Sequence, residues 1–320
     1  MSYTAYLTEL HGLPVFDFPL PDDEDPRLPE PEAAAWRISY NPYTEESDEN
    51  FEDRFERFLT TVAPSRVRAL IIGQWGEAEE EDDSAMIVDL LVAAKDRLTA
   101  LEAVFIGDLE PEEAEISWIQ QSDVTPVLDA YPGLRELGIR GGSGLRFPVV
   151  THQNLRRLRF ETGGLPGEVV RGVAGSELPA LEYLEMWLGV EGYGGDATVG
   201  DLAPLLSGGR FPALRHLGLQ NSEIQDEIAA AVASAPVVAQ LTSLDLSMGV
   251  LTDEGAAALL DGQPLTHLRR LDLDHNYFSE AVEQRLRDAL EPSGVEVALS
   301  EKGDEDEYNG EVDRYTAVAE

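Results

Sequence analysis

The chain has 320 residues and a formal net charge of −39, from 62 acidic and 23 basic residues, and it contains no cysteine. The negative field excludes general binding to nucleic acid and to anionic membranes, and the lack of cysteine excludes disulfides and thiolate metal sites. No signal-peptide pattern and no run of 18 apolar residues is present, so we expect a soluble cytoplasmic protein without a membrane span.

Residues 1–66 are predicted to form an N-terminal capping region built from a strand and a helix. Residues 35–40 read as the strand. Residues 48–62 read as the helix, with one apolar face formed by Phe51, Phe55, Phe58, Leu59 and Val62. Such a cap would cover the open edge of the first repeat, which has no neighbour to shield its core.

From residue 67 the pattern L-x-x-L-x-L recurs, with starts 21 to 34 residues apart. The six clear copies are Leu134-Leu137-Ile139, Leu155-Leu158-Phe160, Leu181-Leu184-Met186, Leu214-Leu217-Leu219, Leu241-Leu244-Leu246 and Leu268-Leu271-Leu273. Two degenerate copies precede them, Val67-Leu70-Ile72 and Leu101-Val104-Ile106. Segments with helical apolar spacing follow the motifs, which predicts parallel strands joined by right-handed crossovers. We therefore expect an α/β solenoid over residues 67–300, with about eight repeats and a terminal strand at 294–300.

Residues 301–320 are predicted to be an acidic C-terminal tail, with a run of acidic residues at 304–307. The last seven residues, RYTAVAE, are more prone to form a strand than the run before them. Two interpretations remain open for this segment. It folds back onto the solenoid, because Tyr315 and Val318 would otherwise be exposed, or it serves as a short peptide for a partner.

The repeat pattern resembles the leucine-rich repeat, and the full helix in each interval resembles its ribonuclease-inhibitor-like subtype. That resemblance implies a right-handed horseshoe with a parallel sheet on its concave face and helices on its convex face. The opening HGLPVFD at residues 11–17 and the ending RYTAVAE resemble a bacterial, chiefly actinobacterial, cytoplasmic family of such proteins. The family has no assigned activity. Some members are encoded near radical-enzyme and ATP-grasp-like proteins, which implies an accessory role in a modification pathway.

No arrangement of residues in the sequence predicts catalysis, a metal centre or a cofactor. The five histidines lack the spacing of metal ligands; they are His11, His152, His216, His267 and His275. The glycine-rich segment at 192–197 lacks the strand and helix that a dinucleotide loop needs. We therefore expect a binding protein rather than an enzyme, and turnover that depended on a specific carboxylate would contradict this expectation.

The residues that alternate with the core leucines are predicted to point to the concave surface. Arg140, Arg157 and Arg159 cluster on the middle repeats, and Tyr183 and Trp187 lie one strand further on. Arginine and aromatic residues are typical of interaction hot spots. We predict a site for a protein or peptide, with the arginines binding carboxylates and the aromatic rings serving as anchors. The candidate site residues are Phe105, Arg140, Arg157, Arg159, Tyr183, Glu185, Trp187 and His216.

Three alternatives to this concave site remain open. The arginines could only form cross-strand ion pairs, between Arg157 and Glu136, Arg159 and Glu185, and Arg140 and Glu161. The acidic surface could bind or inhibit a basic partner, or reflect only solubility or adaptation to salt. Residues 301–320 could fill the groove themselves. In each case we expect a monomer and an unidentified protein or peptide partner.

Overall fold

The computed structural model describes residues 3–21, 23, 27–42, 49–76, 83–303, 305–308 and 311–320, without the side chains of residues 308 and 311. Twelve strands follow one another in chain order across one open sheet of this described part. They are β1 (Glu9–Leu10), β2 (Leu13–Asp17), β3 (Ala35–Ile38), β4 (Ala69–Ile72), β5 (Ala103–Ile106), β6 (Glu136–Arg140), β7 (Arg157–Glu161), β8 (Tyr183–Gly189), β9 (His216–Ser222), β10 (Ser243–Asp245), β11 (Arg270–Asp272) and β12 (Glu296–Ala298).

A layer of short helices lies on one side of the sheet. The helices are α1 (Phe51–Thr61), α2 (Ala85–Ala93), α3 (Thr125–Ala130), α4 (Gly167–Gly175), α5 (Val199–Leu206), α6 (Gln225–Val232), α7 (Asp253–Asp261) and α8 (Glu280–Leu290). Each helix follows a strand of the sheet. The prediction of a full helix in every interval is wrong for the interval between β6 and β7, where residues 141–156 form no helix because this shortest interval returns to the sheet through loops. The architecture is therefore an α/β solenoid, as the repeat pattern predicts. None of the helices in the described part is long and apolar enough to cross a membrane.

The repeated leucines set the register of the parallel strands. Successive strands from β6 to β11 place one leucine of each repeat directly opposite the next: Leu137, Leu158, Leu184, Leu217, Leu244 and Leu271. All six are completely buried between the sheet and the helices. A slip by one residue would turn these leucines to the opposite face, so the core itself fixes the register.

The sheet continues on the N-terminal side of residue 67. β3 pairs in parallel with β4, β2 pairs in parallel with β3, and β1 forms an antiparallel hairpin with β2. The helix predicted over residues 48–62 is α1, whose Asn50 side chain accepts a hydrogen bond from the Asp53 N–H. Asp48, at the predicted start, lies outside the described residues.

The concave face of the first strands is covered by the chain's own N-terminal segment. Leu10 forms a buried cluster there with small and apolar side chains of β3, β4 and β5, including Ala69 and Phe105, and Leu7 packs against the cluster. These strands are therefore apolar on both faces, which the alternation of the repeats alone does not predict.

The end of the chain also returns to the sheet. Beyond β12, β13 (Glu305–Tyr308) and β14 (Glu311–Arg314) form a separate antiparallel hairpin. Asp304, in the predicted acidic run, lies outside the described residues. Val318 is buried whereas Tyr315 is exposed. Residues 316–320 contact the repeats, which agrees with the interpretation that the tail folds back onto the solenoid.

Candidate functional site

A row of three planar side chains lies on the concave face, next to the strands that the N-terminal segment covers. The register of β7, β8 and β9 places Arg157, Tyr183 and His216 side by side. The guanidinium of Arg157 lies 3.8 Å from the centre of the Tyr183 ring. The Tyr183 and His216 rings are 4.1 Å apart and nearly parallel, with an angle of 10° between them. We call these three residues the stacked row.

The partners of the stacked row hold it in place and leave it accessible. Arg157 Nε lies 3.3 Å from Glu136 Oε1, and the Arg157 side chain is 47% exposed. His216 Nδ1 lies 3.0 Å from the Ser243 hydroxyl, and His216 Nε2 lies 3.6 Å from Glu185 Oε1. Burial raises the pKa of the Tyr183 hydroxyl, and the neighbouring Glu185 raises it further. The row is therefore a rigid platform with a neutral phenol at its centre.

Arg159 stands beside the row at the edge of a small cavity of about 10 Å³, roughly the space of one water molecule. Its Nε lies 3.1 Å from Glu161 Oε1, and its guanidinium lies 5.1 Å from the centre of the Phe105 ring. Burial opposes its charge, but Glu161 and Glu185 raise the pKa of Arg159 above its ordinary value. The cavity is lined by residues including Leu10, Phe105, Gly138, Arg157, Arg159 and Tyr183.

Glu185 connects this cavity to the C-terminal half of the face. Burial opposes ionisation of Glu185, but the nearby His216 ring and the charge of Arg159 lower its pKa. Two of the three ion pairs predicted across the strands are formed, between Arg157 and Glu136 and between Arg140 and Glu161. The ion pair of Arg159 is with Glu161 instead of Glu185.

The expectation that Arg140 lies exposed on the concave face is wrong, because its side chain is only 2% exposed. Its Nε donates to Glu161 Oε2 at 2.8 Å, and its Nη1 donates to the Leu109 carbonyl at 2.7 Å. The N-terminal segment covers it, and the carbonyls of Thr4 and Ala5 each accept a hydrogen bond from Arg140 at 3.1 Å. Arg140 therefore ties the N-terminus to the repeats.

Phe105 and Trp187 are likewise buried, which corrects the prediction that both lie exposed on the concave face and that Trp187 serves as an apolar anchor. Phe105 is completely buried beneath Leu10 and against Gly138, where a Cβ would overlap its ring. Trp187 is 6% exposed and forms a cluster with Ile116, Met248 and Val318. Chain segments far away in the sequence cover both rings, so the local pattern contains no sign of their burial.

The C-terminal segment is held by residues that the sequence does not single out. The Asn221 side chain donates a hydrogen bond to the Val318 carbonyl and accepts one from the Val318 N–H. The Ser117 hydroxyl donates to the Ala319 carbonyl. Asn221 has a φ of 54°, a conformation that asparagine adopts more readily than most residues. No periodicity marks this position, because it lies after the strand motif and its partner is 97 residues away.

The C-terminal half of the concave face is acidic. Asp272 is paired with Arg270 at 2.6 Å, and Arg270 also contacts Glu296. Asp245 lies beside Asp272 in the register of β10 and β11, and its Oδ1 accepts from the Ser247 N–H at 3.0 Å. Burial and the neighbouring Asp272 raise the pKa of Asp245 to about 7. Within the described residues, no basic side chain lies within 4 Å of the Asp245 carboxylate.

The described part of the chain contains no group of three or more histidine, aspartate or glutamate side chains that could hold a metal ion. The concave face instead offers stacked rings, guanidinium groups and carboxylates on a rigid sheet. The arrangement is suited to reversible contacts with another polypeptide.

Comparisons with known proteins agree with the fold. A family model described as a leucine rich repeat matches residues 240–260. The chain is similar to a protein of Bacteroides fragilis whose crystal structure is known, with 34% sequence identity and a TM-score of 0.78. That similarity covers 89% of this chain and 77% of the other. No curated protein matches the sequence.

Proposed function

This chain belongs to the leucine-rich repeat proteins, and we propose that it is a non-catalytic interaction scaffold whose open concave face binds a protein or peptide. The observation that carries the proposal is the stacked row. Arg157, Tyr183 and His216 present aligned planar groups on a surface that the rest of the chain leaves partly open. Aromatic side chains such as tyrosine lose little conformational entropy on binding, and both tyrosine and arginine are frequent at hot spots.

The cavity beside the row indicates which chemistry the partner presents. Within the part of the chain that the structure describes, Arg157 and Arg159 are each paired through Nε, which leaves the terminal nitrogens of their guanidinium groups to donate to a carboxylate. The side chains of Tyr183 and Leu10 form an apolar part of the cavity wall beside the two arginines. We infer that the partner places an acidic side chain, with an apolar group next to it, against Arg157, Arg159 and Tyr183.

A second candidate is favoured by the acidic half of the face. Asp245 forms no ion pair with the basic side chains that the structure describes, and Glu185 and Asp272 lie on the same face. A basic segment of a partner would supply the missing positive charge. Binding that weakens strongly with added salt and depends on Asp245, but not on Arg157, would favour this candidate over the first.

Affinity purification from a lysate of the source organism, followed by mass spectrometry, tests the proposal. The wild type is compared with Arg157→Ala and Tyr183→Ala, each checked for folding by circular dichroism. Arg156→Ala is the matched control, because Arg156 is similarly exposed and pairs with Glu182. We expect a partner that wild type and Arg156→Ala retain and the other two variants lose. Equal retention by all four chains would exclude the stacked row as the binding site.

The finer expectations from the sequence and from the resemblance stay predictions. They are the ribonuclease-inhibitor-like subtype, the cytoplasmic location, the monomeric state and the accessory role in a modification pathway. The division into residues 1–66, 67–300 and 301–320 is likewise a prediction. The identity of the partner recovered in the purification would test the accessory role directly, because such a partner would be an enzyme or a substrate of that pathway.

A further inference from the structure

The last five residues of the chain, 316–320, lie in a slot beside the carboxyl ends of the strands. Ile116, Trp187 and Met248 line this slot and form one buried apolar cluster with Val318. Val318 is 7% exposed, whereas Tyr315, three residues earlier, is 54% exposed. One aliphatic side chain therefore anchors the segment in the slot.

The segment also makes one side-chain contact, in which the Glu320 carboxylate accepts a hydrogen bond from the Tyr193 hydroxyl, and several contacts through its main chain. Asn221 Nδ2 donates to the Val318 carbonyl at 2.6 Å, and Asn221 Oδ1 accepts from the Val318 N–H at 3.0 Å. The Ala317 N–H donates to the Met248 carbonyl at 2.8 Å. Hydrogen bonds to a main chain bind extended peptides of many sequences, while a side-chain pocket selects among them. The slot thus recognises an extended peptide with one small aliphatic side chain.

The repeats supply most of the slot, and Tyr3 of the N-terminal segment also packs against its apolar cluster. Asn221 Nδ2 also donates to the Thr162 carbonyl at 3.2 Å, so a contact inside the repeats already orients this side chain. Gly163 provides the room for the Ala319 carbonyl, since a Cβ at Gly163 would overlap that oxygen. A site that is oriented before its ligand arrives loses less entropy on binding.

The charge of the tail opposes its own docking. Residues 301–320 contain eight acidic and two basic residues, and the whole chain has a net charge of −39. Like charges repel the tail from the body of the protein. The covalent link compensates, because it holds the segment near the slot at a high effective concentration. A separate peptide that lacks the acidic run would not meet the same repulsion.

We propose that the slot formed by Ile116, Trp187, Asn221 and Met248 is a peptide-binding site whose resident ligand is the chain's own C-terminal segment. A partner protein that presents an extended segment with one small aliphatic side chain binds there by displacing residues 316–320. The slot is separate from the stacked row on the concave face, so either site can fail its test without the other.

Full-length variants and a labelled synthetic peptide, TAVAE, test the proposal by fluorescence anisotropy. Val318→Asp places a charge on the anchor and opens the slot. Val312→Asp is the matched control, because it makes the same change at an exposed position of the same tail. We expect Val318→Asp to bind the peptide at least tenfold more tightly than the wild type and Val312→Asp. Adding Asn221→Ala to Val318→Asp should remove this gain, and a TADAE peptide should not bind.

Two results would overturn the proposal. One is a folded Val318→Asp chain that binds TAVAE no more tightly than the wild type. The other is a gain that Asn221→Ala leaves unchanged. Hydrogen exchange of the wild type provides a test that needs no variant. An exchangeable tail opens locally, so the Ala317 and Val318 amides should exchange at least a hundredfold faster than the Leu246 amide, which donates to Asp272 between β10 and β11. Equal protection of these amides would contradict the displacement.

Discussion

Replacing Arg140 should cost far more stability than replacing Arg157, although both arginines pair with a glutamate across neighbouring strands. Arg140 is 2% exposed, and its change to methionine would leave the carboxylates of Glu161 and Asp108 without this cation in the interior. Removing one partner of a buried pair costs about 3–5 kcal/mol. Because Arg159 still contacts Glu161, we expect the lower end, about 3 kcal/mol. Arg157→Met breaks a half-exposed pair and should cost about 0–1 kcal/mol.

Urea unfolding followed by far-ultraviolet circular dichroism measures both losses in one buffer. At an unchanged slope of about 3 kcal/mol per M, the Arg140→Met midpoint should fall by about 1 M and the Arg157→Met midpoint by less than about 0.3 M. Adding Glu161→Gln to Arg140→Met should recover part of the loss, because it removes a buried charge that has lost one of its two cations and keeps only Arg159. Equal midpoints for the two single variants would refute the reasoning, since they differ chiefly in burial.

Three further predictions concern the acidic half of the face, the cavity and the tail. The pKa of Asp245 is about 7 in the folded chain, above its value in the unfolded chain. Between about pH 4 and pH 7 the folded chain therefore binds one more proton than the unfolded chain. The fold loses stability as the pH rises through this window. Asp245→Asn should therefore stabilise the fold at pH 8 by on the order of 2 kcal/mol, with no gain at pH 4. Urea unfolding at the two pH values measures this difference, and an equal gain at both would contradict the prediction. Gly138→Ala should cost about 1–3 kcal/mol, because its Cβ would displace the Phe105 ring, and an unchanged thermal midpoint would show that the ring moves freely. Deleting residues 316–320 should expose Trp187, which would shift the tryptophan fluorescence to longer wavelength and increase its quenching by acrylamide. Trp187→Phe should abolish both changes. Unchanged emission would mean that the ring stays buried without the tail.

The sequence by itself determined the layers and the register of this protein. The leucines of each repeat are close in the chain, and burying them on one side of every strand leaves only one register between neighbours. The same alternation predicted the concave positions of Arg157, Tyr183 and His216. It did not predict that their planar groups stack, because stacking depends on side-chain conformations that a pattern of residue types does not contain.

Only the tertiary structure decided which concave residues remain accessible. Arg140 and Arg157 look equivalent in the sequence, yet Thr4 covers the first from 136 positions away. Trp187 is covered in the same way by Val318, which Asn221 holds across 97 positions. Periodicity reports the side of a strand on which a residue lies, and that is a local property. Burial on that side depends on where the two ends of the chain pass, and their paths are fixed by contacts that exist only in the folded chain.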